Sequence, residues 1–154
     1  MGIVFARETL SQQLLEELAP LFLKHQEEIG EKQKARLEPN TEYYLRAEQL
    51  GMLRIFTARS GDSLVGYSVV MAMKSPHSGD FEAQQELLFI DKDHRKGSVG
   101  TNFIKFADKS LFDENVAAII RASTPHRDFS DVLRRIGYDE SCTLFTRRIS
   151  CPHP

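Results

Sequence analysis

The chain has 154 residues, 41% of them hydrophobic and 27% charged, which is the balance of a globular protein with one substantial core. A formal net charge of −2 without a dense basic stripe argues against a nucleic-acid binder, and no apolar run reaches the roughly 18 residues of a membrane span. Two cysteines, Cys142 and Cys151, are too few for a disulfide framework, and no Cys or His pair has zinc-ligand spacing, so no metal is expected.

The first residues lack the apolar stretch of a secretory signal, and Ala6 stands where a myristoylation motif at Gly2 needs Ser or Thr. The expected location is cytoplasmic. Residues 3–7 read as a first strand. From Ser11 to about Ile29, Leu14, Leu15, Leu18, Leu21 and Phe22 recur at helical spacing, with Ser11 as N-cap and Pro20 predicting a kink or break. Gly30–Arg36 is charged, without a clear apolar face, and reads as a loop or frayed helix. A second helix is expected from Asn40 or Thr41 to a C-terminal cap at Gly51.

Leu53–Arg59 and Leu64–Met73 then read as an antiparallel pair around a Gly-Asp turn, with Met71 and Met73 as core residues. Lys74–Phe81, with Pro76 and Gly79, is a loop, and Glu82–Ile90 is a fourth strand. After Asp91–Gly97 comes a helix with Val99, Phe103, Phe106, Ala107 and Leu111 on one face. Val116–Ala122 reads as a strand, Phe129–Ile136 as a short helix closed by Gly137, and Cys142–Ile149 as a last strand. The order β-α-α-β-β-β-α-β-α-β is that of an α/β (α+β) domain with a mostly antiparallel sheet over residues 1–150, followed by a flexible tail at 151–154. Residues 1–50 carry a net −3 and residues 91–150 a net +2; so small a difference reads first as surface variation, and otherwise as a C-terminal half suited to an anionic ligand.

The segment that carries chemistry is Leu87–Thr101, a strand that runs through a Gly-containing turn straight into a helix. Such a turn aims the free N–H groups of the first helical turn at one spot, with the positive end of the helix dipole behind them. Arg95 and Lys96 add charge, and Gly97 and Gly100 admit a ligand to the backbone, so a phosphate or pyrophosphate belongs there. The order Lys-Gly-Ser does not fit the Walker pattern, and a GxxG loop after several strands does not fit the dinucleotide fingerprint.

This loop resembles the acetyl-CoA loop of the GNAT superfamily of N-acetyltransferases, whose motif of Arg or Gln, two residues, Gly, one residue, Gly or Ala falls on Arg95, Lys96, Gly97, Ser98, Val99 and Gly100. Ser98 departs from the family's Gly. The order of elements is similar over nearly the whole chain, and Gly137-Tyr138 resembles the family's Gly-Phe pair before its final strand. Tyr44–Ala58 and Gly66–Tyr67 look most like bacteriophage-encoded members, which extends the expected location to a bacterial or phage-infected host cytoplasm.

The resemblance implies that the strand before the loop splays from the next, that Leu88, Phe89 and Ile90 line the pantetheine arm, and that an N–H near Phe89 or Ile90 polarises the thioester carbonyl. It further implies cofactor contacts along Arg95, Lys96, Gly97, Ser98, Val99, Gly100, Thr101 and Asn102, and at His126. The acceptor amine would attack acetyl-CoA directly. A neutral amine needs a base, and Glu86, four residues before the loop, is the first candidate, against its plainer reading as a solvated strand-edge carboxylate. His77, in the preceding loop, is a second candidate base or acceptor contact, against plain surface; His25 and His94 rank lower. Where the family often has a Tyr that protonates the leaving thiolate, this chain has Leu133, so water, His126 or Ser130 must substitute. Tyr43 and Tyr44 lie on the helix over the acceptor site, and adjacent helical residues cannot share a face, so at most one points inward.

The leading expectation is an acetyl-CoA-dependent N-acetyltransferase acting on an amine of a small molecule or protein, with no nucleic-acid or membrane partner. Family members often form homodimers. The rival is a non-catalytic acyl-CoA-binding or protein-interaction module on the same fold.

Overall fold

A computed structural model describes residues 2–33, 37–125 and 127–147. Its centre is one sheet of five strands in the order β1 (Ile3–Glu8), β2 (Leu53–Ser60), β3 (Ser63–Lys74), β4 (Phe81–Ile90) and β5 (Ala118–Ile120). The first four pair antiparallel and β5 joins β4 in parallel. Helices α1 (Gln12–Gln33) and α2 (Thr41–Gln49) cover one face, α3 (Val99–Asp113) covers the other, and α4 (Ser130–Arg135) follows β5. This is the mixed, mostly antiparallel, GNAT-like architecture that the element order implies.

Helix α1 begins where Ser11 Oγ accepts the Leu14 N–H at 3.1 Å. Leu14, Leu18, Leu21 and His25 form its buried stripe, and each such leucine contributes about 1.5–3 kcal/mol of apolar burial. Of the kink or break expected at Pro20, no break occurs, and the helix runs on as far as Gln33, into the stretch expected as a loop or frayed helix. Pro20 is exposed, so the carbonyl it leaves unbonded one turn back can turn to water. Asn40 caps α2 by accepting the Tyr43 N–H at 3.0 Å, worth about 1 kcal/mol, and the Gly51 N–H closes the other end on Glu48 O at 2.9 Å.

Two apolar clusters lie on the two sheet faces. Tyr67, Val69, Met71 and Phe89 face α1 and α2, while Val70, Ala72, Ala83, Ile90 and α3's Phe103, Ala107 and Leu111 form the other. Strand β4 changes phase within its length. Phe81 and Ala83 face α3, then Leu88 and Ile90 do so. The register explains the change: Val70 pairs with Gln85 and Val69 with Leu87, so Glu86 is the extra residue of a β-bulge. Close to it, β3 and β4 are pressed together at Gly66, where a Cβ would lie 2.9 Å from the Phe89 carbonyl oxygen.

Three expectations need correction. The strand at Val116–Ala122 is shortened to Ala118–Ile120. No strand forms over residues 142–147, where Leu144 and Phe145 are 80% and 93% exposed; a strand needs a partner ladder, and apolar alternation alone supplies none. Met71 is core, but Met73, at the strand end, is 41% exposed. Residues 148–154, with Cys151 and the expected tail, lie outside the described residues. Among the described residues no helix is long and apolar enough to cross a membrane.

Candidate active site

Strands β4 and β5 pair only at Glu82–Ala118, Ala83–Ile119 and Gln84–Ile120, then part. Side chains take over where the ladder stops. Arg121, its side chain fully buried, donates through Nη1 to Gln85 and through Nη2 to Asp108 on α3. Its Nε meets the Tyr138 hydroxyl at 2.9 Å, and that hydroxyl donates to Asp108 at 2.9 Å. Burial in this knot, with Asp108 beside it and Arg121 opposing, pushes the Tyr138 phenol up to about 12. A buried charge held this way is costly to break, so the knot holds the split open.

Beyond the split, β4 has one free edge. The Asp91 N–H bonds Val65 O on β3, and the Ile90 carbonyl turns the other way to accept Arg95 Nε at 2.6 Å. Strand amides alternate, so Leu88 and Ile90 face the gap, while Phe89 faces β3. Of the expected pair, Ile90 therefore offers its N–H to the gap and Phe89 does not. The Phe89 ring is fully buried on the α1 face and does not line the gap.

The gap opens into a cavity of about 430 Å³. Glu86, Leu88, Ile90, Arg95, Gly97, Gly100 and Thr101 line it, which brings together the expected base and half of the expected cofactor loop. The other loop residues lie around it: Lys96, Ser98 and Asn102 are exposed, Asn102 bonds Ser98 Oγ at 3.0 Å, and Val99 packs into the α3-side core. At the start of α3 the Ser98 side chain makes no cap, and the first helical acceptor, Ser98 O, is taken by the Asn102 N–H at 2.8 Å. The Gly100 and Thr101 N–H groups are thus left to the cavity. Gly97 turns the chain at φ +58°, and a Cβ on Gly100 would meet nothing within 4 Å, so the approach to these N–H groups is open.

Glu86 is largely exposed and lines the cavity, and the burial it does have raises its carboxyl above the ordinary value. Burial first, and then the Glu86 charge, raises the Tyr44 phenol. Tyr44 packs into the α1 and α2 cluster while Tyr43 is 55% exposed, so one tyrosine of the pair points inward, as helical geometry requires. His77 sits exposed on the β3–β4 loop, before the far end of β4, and does not line the cavity; five strand steps, roughly 17 Å, take the chain from Phe81 to Glu86. Leu133 is buried in α4 and carries no proton to give. His126 lies outside the described residues.

On the α1 side of the cavity, His25, ranked low from the sequence, meets Arg127 and Glu28, which sequence reasoning missed. His25 stacks on Phe89 at 4.9 Å and its Nδ1 is 2.7 Å from the Tyr67 hydroxyl. Burial raises the Tyr67 phenol, so the hydroxyl keeps its proton and shares one hydrogen bond with Nδ1, the imidazole tautomer setting which of the two donates. Burial first, then Arg127 and Arg95, push His25 down to about 4, with Glu28 opposing. Both arginines lie over the Phe89 ring, their guanidinium carbons 5.3 Å (Arg95) and 5.7 Å (Arg127) from its centroid. Arg95 bonds Glu28 at 2.7 and 2.8 Å, and Arg127 Nη1 lies 3.6 Å from the same carboxylate. One signal was available: His25 continues the spacing of Leu14, Leu18 and Leu21, which puts it on the buried stripe.

No family model and no curated protein matches this sequence. Solved structures of the same fold do. A ribosomal-protein-alanine N-acetyltransferase from Brucella melitensis biovar Abortus 2308 aligns with 97% of this chain and all of its own, at TM-score 0.70 and 16% identity. An aminoglycoside acetyltransferase from an uncultured soil metagenomic sample, in complex with trehalose, aligns at TM-score 0.74 and 15% identity over 96% of this chain and 97% of its own. A predicted acetyltransferase with acetyl-CoA from Clostridium acetobutylicum aligns at TM-score 0.72 and 10% identity over 96% of each chain. At these identities the likeness is one of fold, and over nearly its full length the chain shares the fold of solved acetyltransferases.

Proposed function

We propose that the chain is an N-acetyltransferase that takes its acetyl group from acetyl-CoA and moves it to an amine by direct attack, without a covalent enzyme intermediate. The observation that carries this is the convergence, at one split between parallel strands, of a free strand edge, an uncapped helix start and a carboxylate on the cavity wall. The residues fit the coenzyme: Gly100 and Thr101 N–H groups face a space that a diphosphate can enter, and the apolar Leu88 and Ile90 border a gap that a narrow arm can thread. Bound acetyl-CoA would supply a thioester whose acetyl carbon forms the amide C–N bond as its C–S bond breaks. Arg95 and Lys96 add positive charge to the loop, with Gly97, Ser98, Val99, Asn102 and the neighbouring His126 completing the proposed cofactor contacts; Phe89 supports them from behind.

Ile90 N–H, free in the gap, is the donor that steadies developing charge on the carbonyl oxygen. Glu86 takes the acceptor's proton, directly or through water, and burial raises its pKa above the ordinary carboxylate value, which makes it a stronger base than a free carboxylate. His77 has no part in this arrangement. With Leu133 buried, the leaving thiolate draws its proton from water, Ser130 or His126.

The single domain over residues 1–150, a cytoplasmic location and an amine acceptor, small or protein, belong to the same reading. So does the bacteriophage likeness, which rests on Tyr44–Ala58 and Gly66–Tyr67 alone. Leu133 favours one second reading, a non-catalytic acyl-CoA-binding module. Thiol release from acetyl-CoA across an amine panel, run beside thermal unfolding with coenzyme A, separates the two. Turnover selects the enzyme, stabilisation without turnover selects the binding module, and neither at millimolar coenzyme removes both.

A further inference from the structure

The cluster over Phe89 has a charge left over. Arg95 and Arg127 bring two positive charges, Glu28 one negative, and His25, held neutral by its surroundings, none. Arg127 is also incompletely used. Its Nη1 is shielded from solvent and makes no hydrogen bond, with Glu28 Oε2 no closer than 3.6 Å. A shielded guanidinium nitrogen without an acceptor is costly in a folded protein, and the Arg127 side chain that carries it also lines an open cavity.

The cluster lies on a particular side of the sheet. Phe89, beneath both guanidinium groups, belongs to the α1 and α2 face, whereas Ile90 and the start of α3 belong to the other. A diphosphate at the Gly100 and Thr101 N–H groups therefore sits across the strand from Arg127. Glu86, the extra β4 residue between Gln85 and Leu87, lines the same cavity as Arg127. Along β4, Glu86 and Phe89 are three residues apart, on the order of 10 Å.

We propose that Arg127, backed by Arg95, binds an anionic group of the acceptor, a carboxylate or phosphate, about 10 Å from the amine that faces Glu86. The inference rests on reading the cavity as an acetyl-transfer site. Glu28 is the resident counter-ion that the incoming anion replaces or shares. Such an acceptor is amine at one end and acid at the other, the chemistry of a short peptide with a free carboxylate rather than of a polycation. Three extended residues, at roughly 3.3–3.6 Å each, span the distance.

The test uses triglycine and triglycinamide as matched acceptors, with kcat/KM for acetyl transfer and calorimetric binding without coenzyme measured for both. Triglycine should win by about ten- to a hundredfold, the usual worth of a charged hydrogen bond. Arg127→Gln should erase the preference through KM while leaving the KM for acetyl-CoA unchanged, Arg127→Lys should restore part of it, and Glu28→Gln should enlarge it. Equal use of acid and amide overturns the proposal, as does an Arg127→Gln defect that falls on acetyl-CoA affinity. Acid-selective binding without any acetyl transfer would keep the anion site and remove the transferase, whereas transfer without acid selectivity would remove the anion site alone.

Discussion

Gly100→Asp separates what the fold needs from what the ligand needs. A Cβ at this position meets nothing within 4 Å, so the side chain enters open space at the cavity wall. Without ligand the change should be neutral or favourable. An acidic residue in the first turn of a helix gains roughly 0.3–1 kcal/mol from the dipole, and replacing glycine adds a few tenths more. With a diphosphate at the same N–H groups the sign reverses. Two unit charges about 5 Å apart at an effective dielectric of about 20 repel by roughly 3 kcal/mol, and exposure and salt reduce this by about half. Acetyl-CoA affinity should therefore fall ten- to a hundredfold, at about 1.4 kcal/mol per decade, while the free protein melts no lower than the parent. Titration calorimetry with acetyl-CoA and thermal unfolding of the free protein measure the two halves. A Gly100→Asp protein that is folded and binds acetyl-CoA as tightly as the parent would put the diphosphate elsewhere and refute the reasoning.

Glu86→Gln should lower turnover by about a hundredfold with little change in acetyl-CoA affinity, and the defect should shrink as pH rises and more of the acceptor amine is already neutral; full turnover at neutral pH would show that Glu86 is not the base. Because burial raises the folded-state pKa of Glu86, its ionised form costs stability above that pKa, so the same variant should be no less stable than the parent at neutral pH, a sign opposite to its effect on rate. Gly66→Ala should cost about 1–3 kcal/mol in denaturant unfolding, since the new Cβ lies 2.9 Å from a backbone oxygen that has no rotamer to change, and an unaltered midpoint would contradict that close approach. His25, held near 4 when folded, should protect stability fully above its ordinary pKa of about 6.5 and lose up to about 3 kcal/mol as pH falls toward 4, because the unfolded imidazole then binds the proton first. Glu8 and Asp91, whose pKa values are lowered, also lose stability on the acid side, so the check is the difference between the parent and His25→Phe. An identical pH slope in both proteins would remove His25 as the cause.

What was legible in the sequence was local. The alternation in Leu53–Arg59 and Leu64–Met73, the cap at Asn40 and the apolar stripe of α3 each depend on residues a few positions apart, and each element formed within a residue or two of its expected ends. The loop at Arg95–Gly100 was legible because free N–H groups at a helix start follow from chain geometry alone. The bulge at Glu86 was not legible, because Leu87-Leu88-Phe89-Ile90 is apolar at every position and hides the change of phase. The opposite wall of the cavity was not legible. Arg127 and Glu28 are 99 positions apart, and Asp108 on α3 looks like one more solvated helix residue until Arg121 and Tyr138 reach it. Over residues 142–147, the described part of the strand expected at Cys142–Ile149, no strand formed, for the related reason that pairing depends on a distant partner, which no alternation pattern specifies.

The site nonetheless follows from a rule that applies to every fold. Backbone polar groups shut away from water must find partners, so a structure shows where it expects a ligand by where it leaves them open. In this chain three such omissions fall within one cavity: the edge of β4 past Gln84, the N–H groups at the start of α3, and Arg127 Nη1. The first two are the demands of an extended arm ending in an anion, and both lie on or toward the α3 side of the strand. The third is the mark of the proposed second anion, on a wall of the cavity that Glu86 also lines. Under the proposed reading the two anions belong to two ligands that meet in the gap, and that meeting is what group transfer requires.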